Sequence, residues 1–315
     1  MRKIALCGLA LSHPWTFADI MLETAEVELH VWDSSIDRVR AFVDGHPGAV
    51  VHEDFDSLLR VRPDGAMVCT ESSLHHTYAI ACLEAAVPTF IDKCMVVSRS
   101  ALAELVDAEE RTRTPVFSSS ILRYSPDFAA QAKRTHALPR HERLLAQATV
   151  YHSIEGYLKP GNEWQDIPEI GGGTLVNMGV HGLELLLLNA GPGVKRVFAA
   201  ADRRYFTASQ SEDVAVIQAQ YADGMIGTVR VVGSTILHGY QMEVVSRAGL
   251  DSVFIPNDQS RDLLEQYGYR GCVQNFLGMV EGASTSASFA DAVHICSVLL
   301  AARDSVRTGS WAEVP

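Results

Sequence analysis

Two short stretches of this sequence set polar groups where their chemistry would count. "GGGTLVNMGVH", residues 171–181, places three glycines ahead of an apolar run that carries Asn177 and His181. Glycine costs extra backbone entropy on folding, so three together imply a need for positive φ or for a bare backbone at close quarters. An imidazole titrates near neutrality, which lets His181 give or take a proton at ordinary pH. Asn177 donates and accepts hydrogen bonds but holds no charge. With Thr174 as N-cap, the i, i+4 spacing predicts both residues on one face of one helix.

The second stretch is "CGLALSHPW", directly after an apolar run. Gly8, Ala10 and His13 occupy the three glycine positions of a G-x-G-x-x-G pattern, with Ser12 in the same turn. A tight turn leading into a helix N-terminus cradles a pyrophosphate. Only Gly8 matches the pattern; His13 is bulky where helix–strand packing asks for a small residue. Asp33 lies 25 residues after Gly8, at the end of the next apolar run, where a carboxylate accepts from a ribose 2′-hydroxyl. It would repel a 2′-phosphate and no Arg directly follows it, so the reading is NAD in preference to NADP. The competing role for Asp33 is to cap the helix region "SIDRV".

These residues need elements to hold them. Through residue 122, strand-like runs ("KIALCG", "VELHVWD", "AVVHE", "DGAMVCT", "TFIDK", "VFSSSI") alternate with helical patterns, one starting near Pro14 and one stopping at Gly45. That alternation predicts parallel strands joined by helical crossovers. "SPDFAAQAKRTHA" reads as a further helix, with Ser125 as N-cap and Pro126 at its first position. Longer strand patterns follow, among them "RLLAQATVYHS", "VKRVFAAADRRYF", "DVAVIQAQY" and "MIGTVRVVGST", the last two separated by a hairpin signal at Ala-Asp-Gly. Helices near 272–282 and 288–307 close the chain. The expectation is α/β: a dinucleotide-binding domain at 1–122 and an α+β domain at 123–315 on a large, mainly antiparallel sheet.

Composition narrows the function classes. The chain of 315 residues has 38 acidic and 26 basic side chains, a formal net charge of −12, which disfavours nucleic-acid or anionic-membrane partners. The longest apolar helix candidate, "LELLLLNA", is core-sized and contains Glu184. With no signal-type start and no spanning segment, a cytoplasmic location is the default. The six cysteines form no C-x-x-C pair and the histidines no metal-ligand spacing, so buried reduced thiols and no structural metal are expected.

With "FIDKC" beside "GGGTLVNMGVH", the chain resembles the Gfo/Idh/MocA oxidoreductase family, which includes glucose–fructose oxidoreductase and inositol dehydrogenases, over nearly its whole length. The resemblance implies a nicotinamide cofactor, a sugar or polyol substrate, and a dimer or tetramer formed through the C-terminal sheet. The family's T-P-N-x-x-H segment corresponds to "TESSLHHTYAIACLEAAVP", with Thr70 and His75 in place. Its E-K-P, which brings a lysine beside the nicotinamide, reads Asp92-Lys93-Cys94 here. Its G-G-G-x-L-x-D-x-G-x-H brings an acid and a histidine to the substrate; these positions hold Asn177 and His181. Arg123 and Tyr124 match R-[FY]-x-P at the entry to the second domain and either line the substrate site or pack the domains. Trp164, in the loop before the glycines, is placed either to stack on a sugar or to plug an interface.

The chemistry of the residues agrees with that family. Oxidising a secondary alcohol needs a hydride acceptor and a base for the hydroxyl proton. A lysine at the end of a buried strand loses basicity by desolvation, so Lys93 is the base expected, with His181 sharing or relaying the proton and Asn177 orienting substrate. Two other readings stay open. The altered glycine loop and the missing acid fit a non-catalytic NAD- or metabolite-binding regulator, or an enzyme using bound NAD as a transient oxidant for elimination or hydrolysis.

Overall fold

A computed structural model describes residues 1–260 and 262–315. Contacts divide the chain into two units, Met1–Ser119 with Arg270–Ala292, and Ser120–Tyr269 with Val293–Pro315. The chain thus returns to its first unit late, a feature with no signal in local sequence.

In the first unit the strands are β1 (Arg2–Cys7), β2 (Val27–Trp32), β3 (Val50–Val51), β4 (Gly65–Val68), β5 (Thr89–Ile91) and β6 (Val116–Ser118). Helices α1 (His13–Thr24), α2 (Ile36–Gly45), α3 (Phe55–Arg60), α4 (His75–Glu84) and α5 (Arg99–Thr112) alternate with them, as the apolar pattern predicts. All strand pairs are parallel, in the order β3-β2-β1-β4-β5-β6. Because the order reverses between β1 and β4, their carboxyl ends open a crevice, the usual place for a ligand in such a sheet. Strands β1 and β4 are almost wholly buried apolar residues, as expected for strands covered on both faces.

The second unit begins with α6 (Pro126–Ala137) and β7 (Arg143–Tyr151), followed by α7 (Gly173–Asn177) and α8 (Gly179–Ala190). Strands β8 (Val194–Asp202), β9 (Val214–Tyr221), β10 (Ile226–Val232), β11 (Gly239–Ser246) and β12 (Gly249–Pro256) complete its sheet with the last strand of the chain. After α9 (Leu263–Gln266), α10 (Tyr269–Val280) returns to the first unit, where Phe276 and Val280 press on Gly65 so closely that a Cβ there would meet Val280 at 2.5 Å. Helix α11 (Phe289–Thr308) and β13 (Ala312–Glu313) end the chain. The sheet order is β12-β11-β7-β10-β9-β8-β13, antiparallel except for the parallel β7–β10 pair. Strand β9 alternates strictly, with Ala215, Ile217, Ala219 and Tyr221 buried and Val216 and Gln218 outward. Helix α8 covers the inner face over β7 and β10, and Gly182 lets it approach Val229 closely.

Ser125 stands at the N-cap of α6 and Pro126 follows it, but the serine side chain makes no capping bond. The six cysteines are all buried free thiols. Among the described residues no helix is long and apolar enough to cross a membrane, and no group of three or more His, Cys, Asp or Glu is arranged to hold a metal.

Candidate functional site

In the first unit, the turn after β1 is built for close approach. Gly8 has φ +96°, and a Cβ there would lie 2.4 Å from the Thr70 side chain and 2.6 Å from the Thr70 amide nitrogen. No other residue fits that position without displacing β4's end. The turn's amides are fixed by neighbouring strand ends: Gly8 N–H donates to Trp32 O (2.8 Å) and Ala10 N–H to Cys69 O (3.0 Å). Leu9 N–H donates to Asp33 Oδ2 at 2.6 Å. Pro14 lies in the first turn of α1, and the positive end of that helix faces the turn, with Ala10 buried and Ser12 exposed beside it. The cradle suits a pyrophosphate; the residues present fit a dinucleotide.

Asp33 is held by backbone on both sides and is not itself the cap of α2. Its second oxygen, Oδ1, accepts from Ser35 N–H (2.7 Å), while Ser35 itself caps α2. Arg38, further along α2, reaches back to Asp33 Oδ1 (3.5 Å) and pairs with Glu71 (2.7 Å). Sequence reading looked only for an Arg directly after Asp33; the helical turn brings in one five residues on. Two carboxylates already engage that guanidinium.

At the far side of the crevice, Thr70, His75, Asp92 and Lys93 are all buried. The His75 ring, fully buried, links Cys94 O to Thr70 O at 2.9 Å each, tying the β4 and β5 loops together. Burial holds the His75 imidazole below its ordinary pKa, although Asp92 and the two carbonyls pull it upward. Burial likewise lowers Lys93, against the upward pull of Cys94 and Asp92, so the neutral amine is brought nearer to physiological pH. His13, the residue too large for its pattern position, begins α1 and faces Asp92, its Nδ1 2.9 and 3.0 Å from the two carboxylate oxygens.

In the second unit the three glycines serve the chain's own packing. Gly172 and Gly173 take φ of +90° and +69°. At Gly171 a Cβ would stand 2.5 Å from the Gln165 Cα and 2.7 Å from Trp164 O. The N-cap of α7 is Gly172, so Thr174 is an interior helical residue and not the cap its type suggested; the Glu212 carboxylate takes the Leu175 N–H instead. The expected single helix is also two: α7 ends at Asn177 and α8 starts at Gly179, broken at Met178. The i, i+4 argument for Asn177 and His181 therefore fails, because it requires an unbroken ladder. Both residues are nonetheless buried.

His181 sits in a polar cluster set into an apolar helix. Its Nδ1 is 2.6 Å from Ser120 Oγ, and Ser120 N–H donates to Glu184 Oε2 at 3.1 Å. Arg123 Nε donates to Glu184 Oε1, so Arg123 and Glu184 form an ion pair that is over nine-tenths buried. Tyr124 is half-buried. Rings gather beside the imidazole: Tyr240 at 5.5 Å from His181, then Tyr267 at 5.3 Å from Tyr240, with His238 and His152 next to them. Burial pushes Tyr240 far above the usual phenol range and Tyr267 up to about 12, so both remain neutral donors. Trp164 is 8% exposed, at the base of the glycine turn. Neighbouring Asp166 accepts from Ser209 Oγ, Gln210 N–H, Ser211 N–H and Ser211 Oγ, fastening the 203–213 loop.

Sequence reading missed Ser120, Arg38 and the partner of His13. Glu184 did leave a signal: a lone carboxylate three residues after His181 in a run of leucines, hence on the same helix face.

Two family models match the chain: the oxidoreductase family's NAD-binding Rossmann fold over residues 2–119, and the Gfo/Idh/MocA C-terminal domain over 144–250. No curated protein matches the sequence. Among solved structures, GenD2 from gentamicin A biosynthesis in complex with NAD is similar over 100% of this chain and 96% of its own, at 19% identity and TM-score 0.87. The WlbA dehydrogenase of Chromobactrium violaceum, in complex with NADH and UDP-GlcNAcA, is similar over 100% and 96%, at 18% identity and TM-score 0.86. A provisionally assigned myo-inositol dehydrogenase of Sinorhizobium meliloti 1021 is similar over the full length of both chains, at 17% identity and TM-score 0.85.

Proposed function

Because the chain belongs to the Gfo/Idh/MocA family of NAD-binding oxidoreductases, we propose that it transfers a hydride between NAD and a hydroxyl or keto group of a sugar, cyclitol or related polyol. The observation that carries this reading is Lys93: a lysine buried two residues past the end of β5, made less basic by that burial, in the unit whose Gly8 turn suits a pyrophosphate.

Bound NAD supplies the hydride acceptor. The Gly8–Ser12 turn and the α1 N-terminus hold its phosphates, with Thr70 and His75 shaping the opposite wall. Asp33 receives the ribose hydroxyls and Arg38 stays with Asp33 and Glu71, which supports NAD over NADP. Lys93 takes the hydroxyl proton, and His181 is the second candidate for acid–base work. Asn177 orients a hydroxyl; Arg123 and Tyr124 border the substrate region, and Trp164 backs the glycine turn. The sugar class is supported by the UDP-GlcNAcA bound to the WlbA neighbour. The outer face of the second-unit sheet, with Val216, Leu250 and Phe254 exposed, supports a homodimer or homotetramer through that face.

The test is a panel of sugars and polyols with NAD, read by the absorbance of reduced nicotinamide. One class is expected to yield NADH, with Lys93→Ala and His181→Ala each slower by about 10²-fold or more. An undiminished rate for Lys93→Ala would remove its role as base. Substrate turnover without net NADH would point to transient oxidation, and NAD binding without any turnover to a regulator.

A further inference from the structure

The pair His13–Asp92 lies beside Lys93 yet has no part in the roles given above. The two residues are 79 positions apart, one opening α1 and the other directly after β5. The imidazole meets both carboxylate oxygens, and Asp92 Oδ1 additionally accepts the Lys93 N–H at 2.8 Å. The side chains are 13% and 2% exposed. Packing fixes the ring: Phe17, one turn further along α1, lies 5.8 Å from it and is itself edge-on to Phe90 of β5. This is a built contact, not a surface pairing.

We propose that His13 is a positioning residue for Lys93: by donating Nδ1–H to the Asp92 carboxylate it takes up that charge, weakens its hold on the neighbouring ammonium and so keeps the amine accessible as a base. The inference rests on the reading of Lys93 as the base. Within the first unit, the titratable groups that act on Asp92 and Lys93 are His13, His75, Cys69 and Cys94. Burial works against an ionised Asp92, but His13, Lys93 and His75 together hold its carboxyl below the usual range. The carboxylate is therefore charged at working pH, and its charge is shared among the donors and cations that face it. Remove the imidazole, and a larger share falls on the amine.

The experiment needs neither substrate nor cofactor. Trace labelling of the full chain with acetic anhydride across a pH series, read on the Lys93 peptide by mass spectrometry, gives the pH at which the amine becomes reactive. In His13→Ala that midpoint should rise by about one pH unit, the low end of what one nearby charge does. His13→Asn, which keeps a donor near the Nδ1 position, should restore most of the shift. Asp92→Asn should lower the midpoint below the native value. If His13→Ala does not fold, His13→Gln fills the space with its donor displaced and should behave as alanine does. An unmoved or lowered midpoint on losing the donor overturns the proposal. So does a rise in both the His13 and Asp92 variants, which would report loosened packing and not redistributed charge. Failure of the oxidoreductase reading would appear in the NADH assay and leave these midpoints untouched.

Discussion

Ser120 Oγ and His181 Nδ1 stand 2.6 Å apart, joining residues 61 positions apart in a buried contact. Ser120 Oγ also accepts the Leu122 N–H at 3.2 Å. If its own hydrogen points at the imidazole, Nδ1 is the acceptor and the ring proton sits on Nε2. In that arrangement the serine selects which nitrogen of His181 presents a proton.

This gives a first expectation. Nitrogen-15 spectra should show native His181 as the Nε2–H tautomer, and Ser120→Ala should give a mixture. Removing one buried partner costs about 1–3 kcal/mol, so turnover should fall by about 10-fold or more while NAD affinity holds. A native Nδ1–H tautomer would reverse the assignment.

Cofactor choice follows from Asp33. Calorimetry should show NAD binding more tightly than NADP, and Asp33→Ala should narrow or invert the difference by freeing Arg38 for a 2′-phosphate. Since Asp33 also holds Leu9 N–H and Ser35 N–H, that variant should lose about 1–3 kcal/mol of stability. Equal native affinities would discard the ribose role.

The Arg123–Glu184 pair is a stability prediction. Glu184→Ala leaves a buried guanidinium without its carboxylate and should cost about 3–5 kcal/mol in denaturant unfolding. The double variant Arg123→Met, Glu184→Leu should recover much of that loss, because two desolvated charges vanish together. Additive losses would show that the pair's worth lies in other contacts.

Much of this molecule could be read from local pattern. Apolar alternation located the strands of both sheets, because burial on one or two faces leaves its period in the chain. The meeting of the Gly8 turn with Asp33 was legible from spacing, since the first turn and the end of the second strand lie side by side in a βαβ unit. What stayed hidden was decided by contact across the fold. Residue types alone do not reveal that His13 would find Asp92, or that Arg38 would turn back on Asp33 and Glu71. The break at Met178 was hidden for a related reason: "TLVNMGVHG" has helical residues throughout, and the α7 start is held by Glu212 from far along the chain. The glycines were correctly singled out, but the close neighbour at Gly171 is the protein's own Trp164–Gln165 backbone.

That same loop yields the pH expectation. Asp166 is desolvated, which alone would raise its pKa, but hydrogen bonds from Ser209, Gln210 and Ser211 outweigh this and hold it below the usual range. Asp213, accepting from the N–H groups of Arg204, Tyr205 and Phe206, is lowered against its own burial in the same way. A carboxyl whose folded pKa is depressed binds its proton more readily when unfolded. Its stabilisation is therefore complete above the unfolded value, near 3.9 for aspartate, and is lost as pH falls through the folded value. Unfolding free energy should accordingly decline with acid below about pH 4. In Asp166→Asn that decline should be shallower, with lower stability at neutral pH and faster proteolysis of the 203–213 loop. Ser209 and Ser211 would keep their hydroxyls but lose a charged acceptor, worth about 1.5–3 kcal/mol per bond at most. An acid limb as steep in Asp166→Asn as in the native protein would show that other carboxylates, and not this anchor, govern it.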